Sequence, residues 1–131
     1  MSILLRMSSI ILLVEDDVDL ISIYREILEL HGYELESANN GQEAVEKFKK
    51  IKPSLVIMDG DMPVLDGYEA FKQIKNIDKD AKVVIVTGYS QLEPKNQEAV
   101  KEGLIKVISK PLGVDELISL AKQYTETKIR T

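Results

Sequence analysis

The sequence contains no cysteine and a single histidine, His31, among 131 residues. The absence of cysteine excludes disulfides, a thiol nucleophile and thiolate metal sites. A single histidine argues against a histidine-rich metal centre and against a Ser-His-Asp triad. Any chemistry in this chain is therefore expected to come from carboxylates, lysines and hydroxyls.

The sequence also lacks a basic bias and a long apolar run. Seventeen Lys and Arg stand against twenty-two Asp and Glu, and the formal net charge is -5. A nucleic-acid binder normally carries a basic stripe, so direct nucleic-acid binding is not expected. The apolar run Ile10–Val14 is too short to span a bilayer, and Glu15-Asp16-Asp17 follows it instead of a signal-peptide cleavage site. We therefore expect a cytoplasmic protein without membrane insertion.

Short apolar segments alternate along the chain with longer segments of helical period. Three of these segments are almost continuously apolar, as in strands buried on both faces of a parallel sheet. A weaker alternation predicts an edge strand, and a fifth short run follows late in the chain. The expected strands are residues 10–14, 33–37, 55–58 and 83–86, with a last one around Ile105, Val107 and Ile108.

Five helices are predicted between and after these strands. In the first, an apolar stripe at three-and-four spacing ends before Gly32, a typical helix stop. Asn40 and Glu43 resemble a capping box at the start of the second helix. The predicted stripe of the first helix consists of Leu20, Ile23, Tyr24, Ile27 and Leu30. Five strands, each followed by a helix, predict an α/β fold with one doubly wound parallel sheet and right-handed crossovers.

One domain is expected over residues 9–124, because the chain is one-domain sized and carries no internal repeat or linker. Residues 1–8 are interpreted as a leader outside the core. The polar residues 125–131 are interpreted as a tail that frays.

Polar side chains stand where four of the predicted strands end. Glu15 and Asp16 follow the first strand, Asp59 the third, Thr87 the fourth and Lys110 the fifth. Ligands of doubly wound sheets bind outside the carboxyl ends of the strands, near the switch point of strand order. Crowded carboxylates raise one another's pKa, and a hard divalent cation such as Mg²⁺ relieves that cost. The sequence therefore predicts a magnesium site at this edge.

Ordinary structural roles are open to each of these acids taken singly. Asp17 is expected to cap the first helix. Asp61 and Asp66 are also typical turn residues, since they stand near Pro63 and Gly67. The functional interpretation depends on the joint placement of acids, a hydroxyl and an ammonium group at four strand ends.

Five short motifs in order resemble the receiver domains of two-component response regulators. The resemblance covers about residues 9–124 and implies a (βα)5 flavodoxin-like three-layer sandwich with parallel strands in the order 2-1-3-4-5. The motifs lie in residues 11–17 (ILLVEDD), 56–63 (VIMDGDMP), 66–67 (DG), 84–88 (VIVTG) and 109–111 (SKP).

The resemblance implies a phosphorylation site built around magnesium. Asp59 would accept a phosphoryl group from the phosphohistidine of a sensor histidine kinase or a histidine phosphotransferase. Asp16 and Asp59 would bind Mg²⁺ directly, and Glu15 would bind it directly or through water. The backbone carbonyl of Asp61 would supply a further ligand, so the side chain of Asp61 would matter less.

The same resemblance gives the remaining polar residues to the phosphoryl oxygens. The Thr87 hydroxyl would donate to one oxygen, and Lys110 would pair with another. Gly88 would leave room for the phosphoryl group to approach, and the peptide bond between Lys110 and Pro111 is cis in many members. The domain would catalyse its own phosphorylation and dephosphorylation, without being an enzyme on other substrates, and signal to a downstream effector protein.

Two positions depart from the family pattern. Glu15 stands where the family more often has Asp, a change that a water-mediated ligand can absorb. Val107 stands where the family often has an aromatic residue that swings inward on activation. Tyr89 is a candidate substitute for that aromatic, and the resemblance implies that Asp61 and Tyr89 tune dephosphorylation.

Two other functions fit parts of the sequence. Asp59-Gly60-Asp61 after an apolar strand imitates the Asp-x-Asp signature of haloacid-dehalogenase-type phosphatases, although the expected companion acids precede Asp59. A receiver fold that has lost its switch would be an interaction module only. Phosphorylation in the presence of Mg²⁺ distinguishes the switch from the interaction module, whereas catalytic phosphatase turnover that Asp61→Ala damages would indicate the phosphatase.

Overall fold

The computed structural model describes residues 10–62, 65–88 and 93–125. The predicted leader 1–8, residues 126–131 of the predicted tail, and Tyr89 lie outside the described residues. Thr125, the first residue of the predicted tail, differs from that expectation. Its side chain is buried and hydrogen-bonds the Ser54 hydroxyl at 2.7 Å.

Ten elements alternate strictly between strand and helix, as the apolar pattern predicts. Their order is β1 (Ile10–Val14), α1 (Val18–Leu30), β2 (Glu34–Ala38), α2 (Gly41–Ile51), β3 (Leu55–Asp59), α3 (Gly67–Ile77), β4 (Val83–Thr87), α4 (Pro94–Lys101), β5 (Lys106–Ser109) and α5 (Val114–Tyr124). In the described part of the chain, no helix has the length and apolar character needed to cross a bilayer.

All five strands form one parallel sheet in the order β2-β1-β3-β4-β5. This architecture confirms the predicted doubly wound, flavodoxin-like fold. The strand order reverses beside β1, since β2 lies on one side of it and β3 on the other. Parallel strands end at the same edge of the sheet, so the residues that follow β1, β3, β4 and β5 lie together.

Side chains that alternate along each strand divide the core into two apolar layers. Ile11 and Leu13 of β1 pack in the layer that also contains buried residues of α1 and α5. Leu12 and Val14 pack in the opposite layer, with buried residues of α2, α3 and α4. Burial on both faces explains why the central strands lack the polar alternation of a half-exposed sheet.

The predicted apolar stripe of α1 is confirmed at Tyr24, which is buried, and at Leu20 and Ile27, which pack against the same apolar layer, but it is wrong at Ile23 and Leu30. Ile23 is 52% exposed and Leu30 is 79% exposed, whereas Ile21, Tyr24 and Leu28 are buried. Two sets of apolar residues along α1 satisfy helical spacing, and the sheet selects the set that seals its surface. The selected set also directs the Tyr24 hydroxyl to the carbonyl of Leu112, at 2.8 Å.

Side-chain caps fix where three of the helices begin. Asp17 accepts hydrogen bonds from two backbone N–H groups of α1, as predicted. Asn40 accepts from the backbone of Glu43 at the start of α2, while the Glu43 carboxylate accepts from the backbone of Asn39. Asp66 caps α3 by accepting from the backbone of Glu69. These caps start α1, α2 and α3 directly after the loops at the carboxyl edge of the sheet.

Candidate functional site

Four strand ends bring the predicted site residues to one edge of the sheet. Glu15 and Asp16 directly follow β1, Asp59 is the last residue of β3, Thr87 is the last residue of β4, and Lys110 directly follows β5. Asp59 and Thr87 end their strands inside the hydrogen-bonded ladder, where Asp59 pairs with Val86. Both side chains are buried. The arrangement predicted from the strand ends is therefore present.

Three carboxylates form a compact cluster on one side of this edge. Ligand oxygens of Glu15, Asp16 and Asp59 all lie within 4.8 Å of one another. Glu15 is oriented by the backbone N–H of Asp17, which donates to Glu15 Oε2 at 3.1 Å. Carboxylate oxygens are the ligands that Mg²⁺ prefers, so the donor set of this cluster fits a hard divalent cation.

Crowding in the carboxylate cluster shows in the electrostatics of Glu15. Partial burial raises the pKa of the Glu15 carboxyl, and the nearby charges of Asp59 and Asp16 raise it further. The hydrogen bond from the backbone of Asp17 opposes this increase. A divalent cation bound among the three carboxylates would offset the part of this increase that comes from the charges of Asp59 and Asp16.

Lys110 supplies the positive charge next to Asp59. Its ammonium lies 2.9 Å from Asp59 Oδ1 and 3.4 Å from Asp61 Oδ2. Burial alone would lower the pKa of Lys110, but the two carboxylates outweigh burial and raise it. The peptide bond between Lys110 and Pro111 is cis.

The Asp61 carboxylate faces the ends of β4 and β5. The Thr87 hydroxyl donates to Asp61 Oδ1 at 3.0 Å, and the backbone N–H of Gly88 donates to Asp61 Oδ2 at 3.1 Å. Burial alone would raise the pKa of Asp61, but these hydrogen bonds and the Lys110 charge lower it. The Asp61 side chain thus has its own partners at this edge, apart from the metal ligation that the resemblance implies for its backbone carbonyl.

A pocket of about 230 Å³ lies beside Asp59 on the α1 side. Glu15 and Lys110 form its polar wall, and Leu20, Tyr24 and Leu112 contribute to its apolar wall. Burial raises the pKa of Tyr24, and the Glu15 charge adds to the increase. The carboxylate cluster therefore borders a pocket whose opposite wall is largely apolar.

Val107 is buried in the same apolar layer as Tyr68 of α3. The Tyr68 hydroxyl donates to the side-chain oxygen of Asn96 in α4, and Asn96 is completely buried. A Cβ added at Gly60 would lie 3.2 Å from the Tyr68 ring and 3.3 Å from Thr87. An aromatic ring therefore lies next to the acceptor loop even though position 107 is Val.

Sequence reasoning named Asp61 but missed two contacts of its side chain, the hydrogen bonds that it accepts from the Thr87 hydroxyl and from the backbone N–H of Gly88. A charged residue two positions after Asp59 is visible in the sequence, but the direction of its side chain is not. The N–H of Gly88 belongs to every non-proline residue, so no letter of the sequence indicates it.

Comparison with known proteins gives the same family as the motifs. The family model of the response regulator receiver domain matches residues 11–122. The chain is 42% identical over 105 residues to the chemotaxis protein CheY of Halobacterium salinarum, covering 80% of this chain and 87% of that protein. It is 33% identical over 122 residues to sporulation initiation phosphotransferase F of Bacillus subtilis, covering 93% and 98% of the two chains.

A solved structure agrees with these relatives. The chain superposes on the CheX–CheY–BeF3–Mg²⁺ complex of Borrelia burgdorferi with a TM-score of 0.78 at 25% identity, covering 89% of this chain and 90% of that one. The fold, the ordered motifs and the family match cover the same residues. The chain therefore belongs to the response regulator receiver domain family of two-component signalling.

Proposed function

We propose that Asp59 accepts a phosphoryl group from the phosphohistidine of a sensor histidine kinase or histidine phosphotransferase, in a cytoplasmic two-component pathway. The observation that carries this proposal is the environment of Asp59. Its buried carboxylate is held by Lys110 at 2.9 Å and clustered with Glu15 and Asp16. One side of this carboxylate suits a cation and the other suits phosphoryl oxygens.

The chemistry follows from these contacts. A carboxylate oxygen of Asp59 forms the new bond to phosphorus, and the bond between phosphorus and the donor histidine nitrogen breaks with its electron pair on nitrogen. A carboxylate is a modest nucleophile toward phosphorus, so positioning and charge neutralisation must supply the rate. Lys110 neutralises charge on the transferring oxygens, and the Thr87 hydroxyl donates to one of them.

Glu15, Asp16, Asp59 and the backbone carbonyl of Asp61 would hold Mg²⁺. Bound there, the ion supplies positive charge to the phosphoryl oxygens and removes the repulsion among the carboxylates. The acyl phosphate on Asp59 is labile to attack by water. The residues that favour its formation would also favour its hydrolysis, so the domain would catalyse both its own phosphorylation and its own dephosphorylation. Partners would be the phosphoryl donor and a downstream effector protein.

Two similar proteins support this proposal through their activity or their bound groups. One is a sporulation initiation phosphotransferase, and another was solved with BeF3 and Mg²⁺ in a complex with CheX. Asp59, Thr87 and Lys110 stand in the motifs that carry the resemblance to receiver domains, which supports the roles proposed for them. A protein partner of this domain is therefore expected to distinguish its phosphorylated and unphosphorylated forms.

The test is the intact mass of the purified chain after incubation with acetyl phosphate. We expect wild type to gain the mass of one phosphoryl group when Mg²⁺ is present and nothing when EDTA is added. Asp59→Asn should not gain it. Asp80→Asn is the matched control, because Asp80 is exposed in the loop between α3 and β4 and should label like wild type.

Failure of wild type to gain the mass would refute the switch and favour an interaction module that has lost it. Labelling that survives in Asp59→Asn would refute the assignment of the acceptor. A haloacid-dehalogenase-type phosphatase predicts repeated turnover of a phosphate ester, and it predicts that Asp61→Ala abolishes that turnover. A receiver domain would instead carry one phosphoryl group per chain, which is lost by hydrolysis, and it would not hydrolyse the phosphate ester repeatedly.

A further inference from the structure

The carboxylate of Asp61 lies among donors that suit a phosphoryl group. It receives the Thr87 hydroxyl at 3.0 Å and the Gly88 backbone N–H at 3.1 Å, and the Lys110 ammonium lies at 3.4 Å. Two of these three groups are assigned to phosphoryl oxygens in the proposed function. The Asp61 carboxylate therefore occupies the position that an oxygen of the incoming phosphoryl group would take.

Two of the donors, the Thr87 hydroxyl and the Gly88 N–H, can each serve only one acceptor at a time. A hydroxyl carries one proton and a backbone amide carries one N–H, so neither can serve Asp61 and a phosphoryl oxygen equally well. Lys110 has three protons, but its single charge already faces Asp59 at 2.9 Å as well as Asp61. The Asp61 carboxylate and a phosphoryl group on Asp59 therefore compete for Thr87 and Lys110, and the Gly88 N–H beside Thr87 is a third donor within the same contest.

Asp61 has room to leave these donors. About a quarter of its side chain is exposed (28%), and its backbone is held independently, since its N–H donates to Asp59 Oδ1 at 2.9 Å. Among the described residues that are not its chain neighbours, a Cβ added at Gly88 would meet only Asp61 Oδ2 within 4 Å, at 3.8 Å. A side-chain rotation alone can release Thr87 and Gly88 without moving the backbone.

We propose that the Asp61 carboxylate is a built-in competitor that occupies the phosphoryl-binding donors Thr87, Gly88 and Lys110 in the unphosphorylated protein. This inference rests on the proposed function. Asp61 must leave these donors before a phosphoryl group on Asp59 can take them, and it returns when the group is lost. Asp61 thus slows phosphorylation and limits the fraction of the domain that is phosphorylated.

The first measurement is the rate of mass gain from acetyl phosphate with saturating Mg²⁺. Asp61→Ala should label about tenfold faster than wild type, the factor expected if Asp61 holds the donors about nine-tenths of the time. Asp61→Asn, which keeps the side-chain volume but loses the charge, should lie between the two. Glu46→Gln removes one negative charge from an exposed position of α2 and should label like wild type.

The second measurement needs neither metal nor phosphodonor. In ¹H–¹⁵N spectra of the metal-free protein, the Gly88 amide proton should move upfield in Asp61→Ala, because it loses its carboxylate acceptor. Faster labelling without this change would mean that Asp61 acts only by charge repulsion, and it would overturn occupancy of the donors. Unchanged or slower labelling in both Asp61 variants, while wild type labels, would overturn the inference and leave the proposed function intact. No labelling in any variant would overturn both.

Discussion

The two sides of the Asp59 carboxylate are built in opposite ways. On the β1 side, Glu15 and Asp16 add two further carboxylates within 4.8 Å and bring no positive charge of their own. On the β4 and β5 side, one carboxylate, that of Asp61, faces a hydroxyl, a backbone N–H and an ammonium group. The first side is deficient in positive charge, and the second has enough donors to hold an anion.

The pKa of the carboxyl groups reports the same difference. Burial and neighbouring charges raise the pKa of Glu15, whereas hydrogen bonds and Lys110 lower that of Asp61 despite burial. The fold therefore resists the charge of Glu15 and favours that of Asp61. A site that takes a cation on one side and an oxyanion on the other requires this kind of asymmetry.

The largest expected effect comes from removing Lys110, the residue whose ammonium contacts the carboxylates of both Asp59 and Asp61. In Lys110→Ala, the rate of Mg²⁺-dependent mass gain from acetyl phosphate should fall on the order of 10²-fold, since a fixed charge at the transferring oxygens contributes about that much. Lys106→Ala is the matched control. Lys106 is exposed and pairs only at the surface with Glu116, at 3.3 Å, so its loss should leave the rate unchanged. Equal rates for Lys110→Ala and wild type would remove Lys110 from the chemistry.

A second prediction concerns the close packing of Gly67, at the start of α3, against the backbone of Asp59 and Gly60. A Cβ at Gly67 would lie 2.5 Å from the backbone oxygen of Asp59 and 3.0 Å from Gly60 Cα, and backbone atoms cannot turn aside. Gly67→Ala should therefore lower the free energy of unfolding by about 2 kcal/mol, measured by urea denaturation. In Gly88→Ala the added atom meets only Asp61 Oδ2 at 3.8 Å, so its stability should stay within about 0.5 kcal/mol of wild type. Similar losses in both variants would contradict the tight packing assigned to Gly67.

Much of the fold was predictable because the sheet is buried on both faces. Every residue of β3 and β4 is buried, and such strands appear in the sequence as nearly continuous apolar runs. The register of α1 was not predictable in the same way. Ile23 and Leu30 satisfy helical spacing with Tyr24 as well as Ile21 and Leu28 do, and only contact with the sheet distinguishes the two pairs.

The position of the candidate site followed from topology, but its internal contacts did not. Parallel strands end at one edge, so Asp59, Thr87 and Lys110 were expected to meet there before any distance was known. The orientation of Asp61 depends on where the hydroxyl of Thr87 and the N–H of Gly88 point, which is a property of loop geometry. Backbone donors of this kind have no signature in the residue letters.

The smallest expected effect is on stability, and it tests the difference between the two sides of Asp59 directly. Two similar substitutions, one on each side, should change the free energy of unfolding in opposite directions. In EDTA at neutral pH, Glu15→Gln should raise the free energy of unfolding by about 0.5 kcal/mol, since it removes a charge that the fold disfavours. Asp61→Asn should lower it by about 1 kcal/mol, since it weakens charge-assisted hydrogen bonds. Urea midpoints with unchanged slopes measure both.

The sign of each change follows from linkage. A carboxyl whose pKa is lowered in the folded protein adds stability above its ordinary pKa, and that contribution is lost as the pH falls through the lowered value. Asp61 belongs to this class, and Glu15, whose pKa is raised, belongs to the opposite one. Glu46→Gln, at an exposed position of α2, should change stability in neither direction. If Glu15→Gln destabilised the protein as Asp61→Asn does, the two sides of Asp59 would not differ in charge balance, and the carboxylate cluster would need no cation.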